Sequence, residues 1–400
     1  MPSEFHRLFH GEMESGLRAL EARSQRRTLA EIQGVNLCSN DYLGLAEHPA
    51  LHAAVVEAVR ESARVGGTGS RLLSGHAQSW NELEENFAQF GGTEAALYFG
   101  SGYAANLGLL SALLGKEDLV FSDASNHASL IDGMRLSGAR RIIYPHLDLG
   151  ALESALRIQE HERCRKLIVT ESVFSMEGDV ADIAALLGLA ERYGAGLIVD
   201  EAHATAVHGP GGRGIVAAAG AAREVVASVH TCSKALAGAG AFVCGSSVLR
   251  EHLINHARTF LFTTAMPPYM AGQIRAALEL VRNMDAERAE LQAMSTRLRN
   301  SLRAKGWDTA GSTMQIVPIL IGTNQEALSA AEYLQQDGFA VRAIRPPTVP
   351  DGSARLRLSL TCTIAAQELI RLERSLDSWR AQSHVRGSAS ATITAAAGCA

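Results

Sequence analysis

The chain has 400 residues, 47% of them apolar and 20% charged, a globular composition that excludes a disordered protein and allows two or three structural units. No window approaches about 18 uninterrupted apolar residues, which excludes a membrane-spanning helix, and a net charge of −5 gives no field for gathering nucleic acid or an anionic membrane. The six cysteines are scattered without a C-x-x-C pair, and the first ten residues carry Glu4, His6 and Arg7 but no apolar run, so a cytoplasmic protein with reduced thiols and no secretory signal is expected.

In chain order, a helix is expected over residues 13–27, packed on the C-terminal part of the protein. From about 45 to 248, apolar β-rich runs alternate with segments of helical period. The runs are 95–98, 119–121, 141–144, 166–170, 196–199, 225–230 and 241–244. Most are continuously apolar rather than alternating, the mark of strands buried on both faces. Helices are expected at 80–90, 103–114, 149–159 and 182–193. This repetition predicts an α/β fold with a mostly parallel seven-stranded sheet between helices, joined by right-handed crossovers. A long charged helical stretch follows at 268–306. Strands at 315–321 and 355–360 with helices at 326–338 and 365–380 then form a smaller α+β domain. The expected domains are 1–44 (N-terminal segment on the small domain), 45–270 (large), 271–380 (small) and 381–400, a disordered tail of Ala, Ser, Thr and Gly.

The chemistry concentrates after the strand ends. The run 197–199 feeds Asp200, Glu201, Ala202 and His203, and in open α/β sheets ligands lie beyond the carboxyl ends of strands. An acidic helix cap is the plainer alternative. D-E-A-H also imitates a helicase segment, but the only Gly-Lys pair, Gly115–Lys116, precedes Glu117 and makes no phosphate loop. His203 and His208 are five apart, which is not the spacing of a helical zinc pair, so no metal is expected. Further on, Thr231-Cys232-Ser233-Lys234 sets a lysine among small residues. Lys234 either snorkels to solvent or is a desolvated amine, more nucleophilic because burial disfavours its charged form. Carbonyl cofactors need such an amine. Pyridoxal phosphate needs three protein parts: a lysine, a carboxylate for its ring nitrogen and a phosphate cup. Lys234 supplies the first, Asp200 the second, and Gly100-Ser101-Gly102-Tyr103 at a helix start the third. His127, after another strand end, is a flat ring able to stack on the pyridine, or a structural histidine.

These segments carry a family resemblance. SNDYLG (39–44), GTGSRLLSG (67–75), GSGYAAN (100–106), NHASL (126–130), VFSMEGD (173–179), DEAH (200–203), TCSK (231–234), RPPTVP (345–350) and ARLRL (354–358) occur in order. From about residue 37 to 372 the chain resembles the α-oxoamine synthase family of fold-type I pyridoxal-phosphate enzymes, which join an amino acid to an acyl thioester, release CO2 and yield an α-amino ketone. RPPTVP and GTGSRLLSG are most similar to the member that condenses L-alanine with a pimeloyl group on coenzyme A or a carrier protein. Members using acetyl, succinyl or palmitoyl thioesters are the alternatives. A non-catalytic partner subunit is a further one, which loss of Lys234 or Asp200 would mark.

The resemblance implies roles residue by residue. Lys234 bonds the cofactor and moves the α-proton, Asp200 holds the pyridine nitrogen, and His203 with Ser175 bind the phenolic oxygen side. His127 stacks on the ring and serves as an acid. Gly102, Tyr103 and Thr231 cradle ring and phosphate. Asn40 and Arg357 take the substrate carboxylate, Arg26 contacts substrate, and Thr348 lines the acyl entrance. Homodimers with a shared site are implied, Thr263 and Thr264 reaching the neighbouring phosphate. A helix-start cap before Pro267 and Pro268 is the alternative for these two threonines.

Overall fold

The structure is a computed structural model that describes the backbone of residues 4–396 and the side chains of residues 5–383. It divides into two compact units, Asn40–Ala293 with Thr361–Thr363, and Met1–Ser39 with Met294–Leu360 and Ile364–Ala400.

The first unit is built on seven strands: β1 (Ala95–Phe99), β2 (Leu119–Asp123), β3 (Arg140–Tyr144), β4 (Lys166–Glu171), β5 (Gly196–Asp200), β6 (Ala227–Thr231) and β7 (Ala241–Gly245). They lie in the order β1-β7-β6-β5-β4-β2-β3. Five neighbouring strands are parallel, and β7 runs antiparallel to both β6 and β1. The inner strands β2, β4 and β5 are buried along nearly their whole length, whereas the edge strand β3 is mostly exposed and β6 carries Ser228 and His230 on one face. Leu119, Phe121, Ile168, Leu197 and Val199 enter one core, while Val120, Val169 and Ile198 enter the other. The period of two thus delivers apolar residues to both helical layers, which is why the runs read as continuous. The carboxyl ends of β1, β2, β4, β5 and β6 share one edge, since Glu171 pairs with Asp200 and both Thr231 and Phe99 pair with Ala241.

The turn between 66 and 76 is anchored by charge. Arg71 Nη1 lies 2.8 Å from Glu84 Oε1, which also accepts the Tyr98 N–H at 3.0 Å, and both partners of this pair are buried. Removing one partner of a buried pair strands the other, so Glu84→Ala is expected to cost about 3–5 kcal/mol of stability in urea unfolding. A loss below about 1 kcal/mol contradicts this.

The second unit holds a three-stranded antiparallel sheet in the order Ala343–Ile344, Ala354–Ser359, Ile316–Gly322, and a two-residue parallel ladder of Val35–Asn36 with Phe339–Ala340. Several expected bounds shift. The N-terminal helix is Glu4–Ala22 rather than 13–27, and the stretch 268–306 is two helices, Tyr269–Val281 and Asp285–Ala304. The first unit reaches Ala293 rather than 270 because Tyr269–Val281 packs on the Pro49–Glu61 and Gln78–Gly91 helices. Gly272 permits the approach, for a Cβ there would lie 2.7 Å from Ala58 Cβ. The last helix, Ala366–Ala396, carries helical backbone well past 381, where a disordered tail was expected; residues 397–400 of that tail lie outside the described residues. Among the described residues, no helix is long and apolar enough to cross a membrane.

Candidate active site

The sequence contains four lysines, Lys116, Lys166, Lys234 and Lys305. Lys166 donates to the Glu160 carbonyl at 3.0 Å, and Lys305 pairs with Glu373 at 2.9 Å and Asp377 at 3.0 Å. Lys234 alone stands at the shared strand edge, half-buried three residues past the end of β6. Its surroundings identify its neighbours. The charges of Asp200 and Lys234 both act on Glu171 and on the His127 ring, so amine and acid converge on one group of side chains.

Asp200 closes β5 and is buried. Its Oδ2 accepts the Asn106 amide at 2.7 Å and its Oδ1 the Ala202 N–H at 2.8 Å. Glu171 ends β4 beside it. Burial, then the Asp200 charge, pushes the Glu171 carboxyl well above its ordinary range, against the pull of Lys234 and the His127 N–H. The two adjacent buried acids thus differ in their surroundings: Asp200 accepts two N–H groups, while Glu171 is held above its ordinary carboxyl range. His127 is the N-cap of the Ala128–Ser137 helix. Burial lowers its pKa; Asp200 opposes this and Lys234 reinforces it. The Tyr103 ring meets it edge-on, with centroids 6.4 Å apart.

The D-E-A-H segment divides by face. His203 is buried with Nδ1 2.6 Å from the Tyr42 hydroxyl, which lies 3.0 Å from Asn40 Oδ1. Glu201 instead turns away, accepting the Ile215 and Val216 N–H groups at 2.8 and 3.0 Å. For Glu201 the cap reading is the correct one. Ser175 is buried in the loop after β4. Thr231 lies against Gly102, where a Cβ would come within 2.6 Å of Thr231 Cγ2, so glycine is required for this approach. Ser101 caps the Gly102–Leu113 helix through the Ala104 N–H at 3.0 Å, leaving the free N–H groups of that helix start beside Thr231. Thr263 and Thr264 do not cap the following helix, whose N-cap is Pro268 with no side-chain bond. Both are exposed, and Thr264 bridges to Ser70.

Arg26, Thr348 and Arg357 belong to the second unit. Arg26 pairs with Glu21 at 2.9 Å, and it is Arg27 that approaches Thr348 Oγ1, at 3.5 Å. Arg357 is buried in strand Ala354–Ser359 and donates to Ser359 Oγ at 2.6 Å. Tyr42, Asn106, Ser129 and Glu171 carry site contacts that sequence reasoning assigned to no residue. The first three lie inside the motifs quoted above; for Glu171 the only signal was its place at a strand end.

One further ionic cluster fixes the loop bearing Ser175. His146 Nδ1 lies 2.8 Å from Asp123 Oδ1 and its Nε2 3.0 Å from Asp179 Oδ2. Burial disfavours the charged ring, but the two aspartates outweigh it and push its pKa up to about 10. A pKa raised on folding adds stability in full below the unfolded value of about 6.5, and that stability is lost as pH climbs to the folded value. The melting-temperature advantage of the wild type over His146→Gln is therefore expected to be greatest near pH 6 and to shrink toward pH 10. An advantage that grows over that interval contradicts the assignment.

Comparison with known proteins agrees with this architecture. The chain belongs to the aminotransferase class I and II family, whose model matches residues 32–376. Within that class, the chain is 46% identical over 372 residues to 8-amino-7-oxononanoate synthase of Geobacter sulfurreducens, spanning 92% of this chain and 94% of that protein. Among solved structures, a serine palmitoyltransferase with PLP superposes with a TM-score of 0.85 at 27% identity, covering 95% of this chain and 99% of that one. The 8-amino-7-oxononanoate synthase of Francisella tularensis gives 0.76 at 28% identity, covering 88% and 99%.

Proposed function

We infer that this protein is a pyridoxal-phosphate-dependent acyltransferase that condenses L-alanine with a pimeloyl thioester to give 8-amino-7-oxononanoate, CO2 and the free thiol, a step in biotin biosynthesis. The observation that carries this is the convergence of Lys234 and Asp200 on Glu171 and His127, in a chain 46% identical to a synthase of that name.

The donor set fits pyridoxal phosphate. It offers the Lys234 amine, the buried Asp200 carboxylate, an imidazole, and a helix start beside a glycine that Thr231 already crowds. Two buried oxygens there, Asn106 Oδ1 and Glu171 Oε1, have no hydrogen-bond partner. When bound, the cofactor supplies a carbonyl that condenses with amines and a protonated ring that withdraws electrons from the amino acid's α-carbon.

The chain's own residues do the rest. Lys234 provides the nitrogen that bonds the cofactor and the base that moves the α-proton. Asp200 accepts the N–H of the pyridine nitrogen. Gly102, Tyr103 and Thr231 hold the ring and phosphate end; His203 and Ser175 hold the phenolic oxygen side. His127 covers the ring and donates a hydrogen bond toward the reacting carbon's substituents. The substrate carboxylate is assigned to Asn40 and Arg357, a task suited to a guanidinium, and the acyl chain to Thr348 with Arg27, which replaces Arg26 in this role because of its contact with Thr348.

We also propose a cytoplasmic homodimer. Val65, Leu73 and Phe262 are 70%, 80% and 72% exposed on the segments that the Ser70–Thr264 bridge ties together, and such an apolar face is suited to a partner subunit. Thr263 and Thr264 on that face would reach the neighbouring phosphate.

Turnover of L-alanine with pimeloyl, acetyl, succinyl and palmitoyl thioesters, each on coenzyme A, tests the assignment, with pimeloyl repeated on a carrier protein. The pimeloyl group is expected to give the highest kcat/KM. Absence of turnover with either pimeloyl donor, alongside turnover of another acyl group, overturns the substrate and retains the class.

A further inference from the structure

Asn106 lies one helical turn beyond Tyr103 on the Gly102–Leu113 helix and is 1% exposed. Its Nδ2 stands 2.7 Å from Asp200 Oδ2 and 2.9 Å from Ser129 Oγ. An amide nitrogen has two hydrogens to give and accepts none, so both bonds run outward from Asn106. The reversed amide would set its oxygen against a carboxylate oxygen, which fixes the orientation chemically.

The direction then propagates. Ser129 Oγ accepts from Asn106 and has one hydrogen left to donate, and His127 Nδ1 lies 2.8 Å away. The Ser129 backbone N–H, which only donates, reaches the same Nδ1 at 3.2 Å. Two donors on one ring nitrogen leave it unprotonated, which places the hydrogen of the neutral ring on Nε2. His127 titrates below its ordinary range because it is buried, so the neutral ring is the form present near pH 7.

We propose that Asn106 is a positioning residue that orients the Asp200 carboxylate directly and, through Ser129, fixes His127 as the Nε2–H tautomer. One side chain thereby sets both the acceptor for the pyridine nitrogen and the hydrogen-bond donor offered to the substrate. The cofactor half of this proposal rests on the function inferred above; the tautomer half does not.

Histidine labelled with 15N in cofactor-free protein gives the test, with two-bond 1H–15N correlations assigned by His127→Gln and the affinity for pyridoxal phosphate measured separately by fluorescence. Wild-type His127 is expected as the single Nε2–H tautomer. Asn106→Leu, which keeps the volume and removes both donors, is expected to move the two ring-nitrogen shifts toward each other, though short of their average because the Ser129 N–H still donates to Nδ1. It is also expected to weaken cofactor binding about ten- to a hundredfold, the worth of a charge-assisted bond. Ser129→Ala is expected to move the shifts while leaving affinity within about threefold. A wild-type ring protonated on Nδ1 overturns the proposal, as does a folded Asn106→Leu protein with unchanged shifts and affinity. A wild type that binds no pyridoxal phosphate overturns the inferred function instead, and the tautomer is still read.

Discussion

Replacing Lys234 with alanine is expected to slow thiol release by at least about 10⁴-fold while shifting the melting temperature of the cofactor-free protein by no more than a few degrees. A positioned proton-transfer group alone contributes about 10²–10⁴, and the same nitrogen also supplies the covalent attachment. The other three lysines are no substitute: Lys166 and Lys305 are held by the Glu160 carbonyl and by Glu373 with Asp377, and Lys116 follows the Gly102–Leu113 helix on the way to β2. Lys234 is half-buried beyond a strand end, so its loss leaves the two cores intact. Lys234→Arg separates charge from nucleophilicity. It keeps the cation and removes the titratable amine, and it is expected to be as slow as the alanine variant. An arginine variant within tenfold of the wild type would mean that the position contributes charge alone.

Asp200→Asn is expected to lower kcat/KM by about 10²–10³-fold, the usual cost of removing one preorganised electrostatic partner. The amide keeps the volume but not the charge, and it faces the Asn106 amide with an oxygen or a nitrogen where a carboxylate accepted at 2.7 Å. The neighbours supply an independent readout. The Asp200 charge raises both Glu171 and His127. Without it, Glu171 is expected to titrate lower, closer to its ordinary range, and His127 to titrate lower still. Both shifts are measurable by NMR titration of the cofactor-free variant. A His127 pKa that rises in Asp200→Asn contradicts the placement of acid and imidazole in one cluster.

The inner strands were legible because burial on both faces writes itself as continuous apolar runs, and each of the seven runs, that of the exposed edge strand β3 included, coincides with an observed strand to within a residue or two. Lys234, Asp200 and His127 were legible because polar groups just past such runs stand out against small or apolar neighbours. What the sequence did not disclose is how a short motif divides among faces: Asp200 and Glu201 are adjacent acids, yet one enters the cluster and the other caps the Ile215–Ala218 helix. The contacts of Asn106, Ser129 and Glu171 were equally hidden, since they join elements far apart in the chain and no spacing encodes them. Arg26 and Arg27 are neighbours with equal claims in sequence, and only the backbone path decides which guanidinium meets Thr348. The break at 282–284 lies between two segments of good helical composition and carries neither Gly nor Pro, the residues that usually mark one.

The proposed chemistry turns on which nitrogen holds the cofactor. Borohydride reduction of the protein loaded with pyridoxal phosphate, followed by proteolysis and mass spectrometry, locates a reduced pyridoxyl group on a single peptide. The group is predicted on Lys234, with no label after Lys234→Ala; a pyridoxyl group found on Lys116, Lys166 or Lys305 in place of Lys234, or on no lysine of the loaded protein, would contradict it.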